Sequence, residues 1–228
     1  MKIKNLIIIS FVLYSMLGFS QRQGTITKLE DSGIRLSETR YRAAVKTTSG
    51  TPYINKAFFH AKVGDIISNA LMRYNAANDE FEFINSTNDT LVLNKTAAFS
   101  NITFTYPKLD YFLVNYAEKN GRMNMGYLIK LYDKNNILLY KRQKIAYYEA
   151  TSAKSSYDTP TSAKYVLNKD TFFMKNNESE VTEVPTSRKG FLKLFPEKKT
   201  EIEAFVKQNN TDFEKEQDLI RLVDFLAQ

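Results

Sequence analysis

The chain has no cysteine, no tryptophan and a single histidine, His60, among its 228 residues. Without cysteine it forms no disulfide, so its stability rests on burial. The same absence excludes a thiol nucleophile, a thiolate zinc site and an iron–sulfur cluster. One histidine removes multi-histidine metal sites and most acid–base schemes built on imidazole. There is no Gly-rich phosphate loop, no G-x-S-x-G elbow and no H-E-x-x-H helix. No cofactor, no metal and no catalytic residue is expected from this inventory.

Long apolar runs are scarce too, and the one that exists is at the start. Lys2 and Lys4 precede an uncharged, mostly apolar run from Leu6 to Leu17. Gly18-Phe19-Ser20 then places small residues three and one before Gln21. This is the pattern of a secretory signal peptide over residues 1–20, cut after Ser20. The run is short against the ~20 apolar residues of a membrane span. No cysteine follows it to take a lipid anchor. The expected location is therefore export: periplasmic, outer-membrane-associated or extracellular, with no stable transmembrane helix after cleavage.

Charge of one sign is only mildly in excess. Basic residues number 32 against 25 acids. Lys2 and Lys4 belong to the leader, so the mature chain has 32 − 2 = 30 against 25, a net of +5. Mixed signs and a small excess describe a solvated surface and argue against a nucleic-acid partner. Aromatics are plentiful, with 14 Tyr and 16 Phe, a composition that favours strands.

Along the chain, residues 21–52 have weak patterning and read as an exposed lead-in, with a short, poorly amphipathic helix over Leu36–Thr48. Residues 53–184 have β grammar. Phe81 and Phe83 alternate with Glu80 and Glu82; Ile102, Phe104 and Tyr106 alternate with Asn101, Thr103 and Thr105. That period of two places Phe81, Phe83, Ile102 and Phe104 inside, and Glu80, Glu82 and Thr103 outside. Asn, Asp and Gly clusters punctuate the runs as hairpin turns do. The strands expected are Phe58–Val63, Ile66–Tyr74, Glu80–Ile84, Thr90–Leu93, Asn101–Tyr106, Tyr111–Tyr116, Tyr127–Tyr132, Ile137–Tyr148, Tyr165–Leu167, Thr171–Lys175 and Glu180–Val184. Short connections favour antiparallel neighbours. Residues 185–228 turn helical: a turn at Lys189–Phe195, a helix opened by Pro196 with Ile202, Phe205 and Val206 on one face, and a capping box at Thr211 and Glu214 before the stripe Leu219, Ile220, Leu222, Val223, Leu226. The expected fold is mainly β: an antiparallel meander closing into a sandwich or barrel-like sheet, with a C-terminal helical hairpin packed on it.

Several short motifs recur together elsewhere. They are the Phe-Ser-Gln leader end, Gly50-Thr51-Pro52-Tyr53, Met72-Arg73-Tyr74-Asn75 with Asp79-Glu80-Phe81-Glu82-Phe83, Gly126-Tyr127-Leu128, Leu139-Tyr140-Lys141-Arg142 and Glu216-Gln217-Asp218-Leu219. On these the mature chain resembles an uncharacterised family of secreted proteins from Bacteroidetes-type Gram-negative bacteria. The resemblance implies secretion and the order of elements, and no activity.

The densest basic–aromatic cluster is Tyr140, Lys141, Arg142, Lys144 and Tyr147, with Tyr148 beside it, and these five are the candidate ligand surface. His60, flanked by Phe58 and Phe59, reads as a structural strand histidine. Glu80 and Glu82 share a strand face, so a carboxylate pair is conceivable, but glutamates alternating with Phe ordinarily mark the wet face of a half-buried strand. Met123 and Met125 read as gap fillers. The sequence therefore leads to a non-catalytic, envelope-associated binding protein whose partner is an envelope protein or a glycan. A secreted hydrolase using carboxylate chemistry is the alternative.

Overall fold

The computed structural model describes residues 33–35, 48–153, 159–177 and 179–228. The expected leader lies outside the described residues, as does the expected short helix except for Thr48. Alternation builds the strands where the pattern places them: β2 (Phe59–Val63), β3 (Ile67–Asn75), β4 (Glu80–Ile84), β5 (Thr90–Leu93), β6 (Asn101–Phe104), β7 (Leu109–Ala117), β8 (Met123–Lys134) and β9 (Ile137–Arg142). β10 (Ile145–Tyr148), β11 (Lys164–Leu167), β12 (Thr171–Asn176) and β13 (Val181–Glu183) follow. Within the expected lead-in, Gly33–Arg35 forms β1 and pairs antiparallel with β5.

The strands do not form a plain meander. Their order is β1-β5-β4-β3-β2-β6-β7-β13-β12-β9-β8, and β8 also pairs with β7. That extra pairing closes β7, β13, β12, β9 and β8 into a five-stranded ring. Every ladder in it is antiparallel except β13 on β7. β2 to β6 extend from the ring as a sheet, and β10 with β11 make a separate two-stranded ribbon. Tyr165–Leu167 and Thr171–Lys175 thus belong to different sheets. The Ile137–Tyr148 run is two strands, because β9 stays in the ring while β10 leaves it.

Three clusters fill this architecture. Tyr116, Leu128, Tyr140, Phe173 and Val181 pack inside the ring. Phe81, Phe83, Ile102, Phe104, Tyr111 and Tyr127 anchor a second cluster in the sheet. There Phe81 meets Tyr127 and Tyr111 edge-on, at 4.8 Å and 5.1 Å between ring centres, a favoured aromatic geometry. The third cluster joins β9 and β12 to the C-terminal helices through Leu139, Phe172, Met174, Phe191 and Leu222. Ring strands bury both faces, which is why Phe172, Phe173 and Met174 are all buried in succession.

The helices are α1 (Arg188–Phe191), α2 (Lys199–Asn209) and α3 (Glu216–Leu226). Ile202 and Val206 are buried, and Leu219, Leu222, Val223 and Leu226 line the buried face of α3. The expected capping box at Thr211 and Glu214 is replaced: α3 begins at Glu216, and Asp218 reaches back to accept from the Asp212 amide at 2.8 Å. Tyr132 donates to Asp224 at 2.9 Å and fastens α3 to β8.

Phe81, Phe83, Ile102 and Phe104 are buried as expected, but Glu82 is not outside. Residues 51–58 lie over the polar face of β3 and β4. The Glu82 carboxylate there accepts from Arg73, Asn75 and the Tyr53 hydroxyl. The face is wet by pattern and dry by coverage. Among the described residues, no helix is long and apolar enough to cross a membrane.

Candidate binding surface

The strand period separates the five candidate residues. On β9, Tyr140 and Arg142 point toward the ring interior, and Lys141 points the other way. Tyr140 is buried. Arg142 donates to Glu118 at 2.6 Å and to the Tyr116 hydroxyl at 3.1 Å, with its guanidinium 5.1 Å from the centre of the Phe173 ring. Its Nε is buried with no hydrogen-bond partner among the described residues. That hydrogen bond from Arg142 holds the Glu118 carboxyl below its ordinary value. Lys141 is paired with Glu216 at 2.6 Å and with Asp170 at 3.8 Å. These three side chains brace the ring and its helix. Tyr147 is exposed on the β10–β11 ribbon, and the exposed Lys144 immediately precedes β10. Of the five, the structure leaves these two exposed.

The ribbon is built from a tight register: Ile145 opposite Leu167, Ala146 opposite Val166, Tyr147 opposite Tyr165, and Tyr148 opposite Lys164. Its root is fixed. Ile145 is buried in the sheet cluster, with Tyr165 packed against it. The Ile145 amide donates to the Ala76 carbonyl at 3.2 Å, and the Tyr165 amide to the Ser49 carbonyl at 2.9 Å. Gly50 permits this close approach, since a Cβ there would lie 2.5 Å from the Tyr165 carbonyl oxygen. The outward side chains of the ribbon are apolar and open. Tyr147 is 49 % exposed, Tyr148 51 %, Val166 38 % and Leu167 61 %. Tyr147 leans on Tyr165 at 5.0 Å, and the Lys164 ammonium sits 5.8 Å from the centre of the Tyr148 ring. Four of the ten large apolar side chains exposed among the described residues thus lie on eight residues of chain. β10 pairs with β11 and with no second strand among the described residues.

Sequence reasoning set Tyr148 beside the cluster but missed Val166 and Leu167 as part of the surface. The signal was present: Tyr165-Val166-Leu167 is an apolar run without alternation, placed on a strand too short to bury both faces.

The other features are of different kinds. His60 is exposed on β2, its Nδ1 2.7 Å from the Asn69 side-chain oxygen. Glu82 is closed off as described, while Glu80 accepts from Asn78 at 3.3 Å. Met123 and Met125 are half exposed, at 51 % and 50 %, and line an open groove with Asn115 and Lys175. They fill no gap, because both sit on the outward face of β8. A narrow apolar pocket of about 150 Å³ lies between Phe59, Phe104, Pro107 and Tyr111. Among the described residues, no three His, Asp or Glu side chains converge as a metal site requires. No protein-family model, no curated protein and no solved structure matches the chain.

Proposed function

We propose that this is an exported, non-catalytic binding protein whose β10–β11 ribbon docks on a protein partner at the cell envelope. The observation that supports it is the concentration of Tyr147, Tyr148, Val166 and Leu167 on a ribbon whose root is buried and hydrogen-bonded. Aromatic groups with aliphatic neighbours are the side chains that interface centres favour. A rigid root lowers the ordering cost of binding. The free side of β10 offers backbone donors and acceptors to an added strand, with side chains on alternate faces for selectivity. A glycan would use the tyrosine faces but has little use for Val166 and Leu167.

Carboxylate hydrolysis has less support. A general acid or base must reach the proton it moves. Glu82 is instead held by Arg73, Asn75 and Tyr53 beneath residues 51–58.

The test is affinity capture from envelope extract with the wild-type protein, a Tyr148→Ser/Leu167→Ser variant and a Lys62→Ser control. A protein retained by wild type and control and lost by the ribbon variant supports the reading. A partner held equally by all three contradicts it. Turnover on ester, peptide or glycan substrates that falls more than about 100-fold in Glu80→Gln would favour the hydrolase.

A further inference from the structure

The C-terminal region has a second surface of different chemistry. Phe191 and Phe195 turn inward and meet at 5.7 Å, and Phe191 also meets Phe213 at 5.2 Å. Burying these rings forces the intervening polar residues outward. Arg188, Lys189 and Lys193, from α1 and the turn after it, and Lys199, at the start of α2, converge around a cleft of about 660 Å³. Leu192 and Pro196 form its apolar lining. All four cations are exposed. Lys198, next in sequence to Lys199, is turned away and donates to the Leu226 carbonyl at 2.9 Å. One carboxylate, Glu203, lines the cleft, 4.0 Å from Arg188. The lining therefore holds four positive charges against one negative.

We propose that this cleft docks the protein on an anionic lipid surface, the phosphate headgroups facing the four cations and the upper acyl region meeting Pro196 and the lysine stems. Charge complementarity identifies the occupant. Exposed lysines act as point charges that a sheet of anionic headgroups satisfies without fixed geometry. Aliphatic lysine stems add apolar surface while their ammonium groups stay in the headgroup layer. A small phosphate would meet the cations alone and leave the exposed Pro196 uncovered. Each basic residue near an anionic bilayer is worth about fivefold in partitioning, and the attraction falls with salt.

The experiment is co-sedimentation of the purified protein with phosphatidylcholine vesicles, with and without phosphatidylglycerol. The expected result is binding that requires phosphatidylglycerol, weakens as sodium chloride is added, and drops by more than about 20-fold in Lys189→Glu/Lys193→Glu. A Lys62→Glu/Lys108→Glu control carries the same charge change on exposed residues of other elements and should lose far less. Equal binding to neutral vesicles, or equal loss in the two double variants, would overturn the proposal. So would displacement by inorganic phosphate beyond that of sodium chloride at matched ionic strength, since that describes a soluble-anion site.

Discussion

Arg73 and Glu82 form an ion pair at 2.6 Å, with side chains 9 % and 2 % exposed. It sits on a strand face that the sequence pattern assigns to water. Tyr53 and Phe58 stack over the guanidinium at 3.9 Å and 4.4 Å. The pair thereby fixes residues 51–58 to the sheet, and residues 48–50 lead from there to the ribbon root. Breaking a buried pair strands the remaining charge, which typically costs about 3–5 kcal/mol. Glu82→Leu and Arg73→Met should each lower the denaturant midpoint strongly. The double variant Arg73→Met/Glu82→Leu should lose less than the two single losses added together, because no charge is left unpaired.

Asp79 makes a second long-range tie. It occupies the β3–β4 turn at φ 58° and accepts from the Tyr74 hydroxyl at 2.7 Å and from the Tyr127 amide at 3.1 Å. Gly126 makes room for it: a Cβ there would lie 2.6 Å from the Asp79 carboxylate. Gly126→Ala should therefore destabilise by about 1–3 kcal/mol through overpacking, read by thermal or chemical unfolding. Ala at Gly121, where a Cβ meets nothing within 4 Å, faces only its φ of 81°.

The buried tyrosines give a pH signature. Burial, reinforced by Asp79, raises the Tyr74 phenol well above its ordinary value of 10.0, and burial also raises Tyr111 and Tyr127. Burial and the hydrogen bond to Asp224 push Tyr132 up to about 12. A group whose folded pKa is raised contributes its full stability below the unfolded value and loses it as pH rises through the folded one. Stability should hold up to pH about 10 and fall steadily from there through about 12. Tyrosinate absorbance should show an early group of phenols and a late group that ionises together with unfolding. Smooth ionisation of all tyrosines in a protein that stays folded would count against this packing.

The assignment of inner and outer surfaces makes a direct contrast. Phe83 is fully buried and Leu167 is 61 % exposed. Phe83→Ala should cost about 3–5 kcal/mol, and Leu167→Ala should stay within about 0.5 kcal/mol of wild type. Comparable losses at the two positions would mean that the ribbon is packed against something.

Local pattern carried much of the fold. Glu80–Ile84 follows from alternation, Thr90–Leu93 from a short apolar run set off by the Asn85–Asp89 turn cluster, and the α3 stripe from helical spacing. Three features depend on contacts distant in sequence. The ring closes through a parallel pairing of Val181 with Tyr116, which no local pattern encodes. Glu82 is buried by a segment about 30 residues upstream, with Tyr53 as its nearest polar cover. The basic–aromatic cluster on β9 and β10 was legible as a cluster, yet the strand period sends Tyr140 and Arg142 inward and Lys141 to Glu216. What remained for binding was the neighbouring ribbon, assembled only when residues 164–167 return to pair with 145–148.

The central claim is that the β10–β11 ribbon is covered by a protein in the cell. The most direct measurement is photo-crosslinking in living cells, with a photoreactive residue placed at Leu167, at Tyr148 or at the exposed control Lys62. The ribbon positions are expected to give one discrete adduct each, containing the same partner protein, with none at Lys62. Adducts at Lys62 equal to those on the ribbon, or no adduct at either ribbon position, would contradict it.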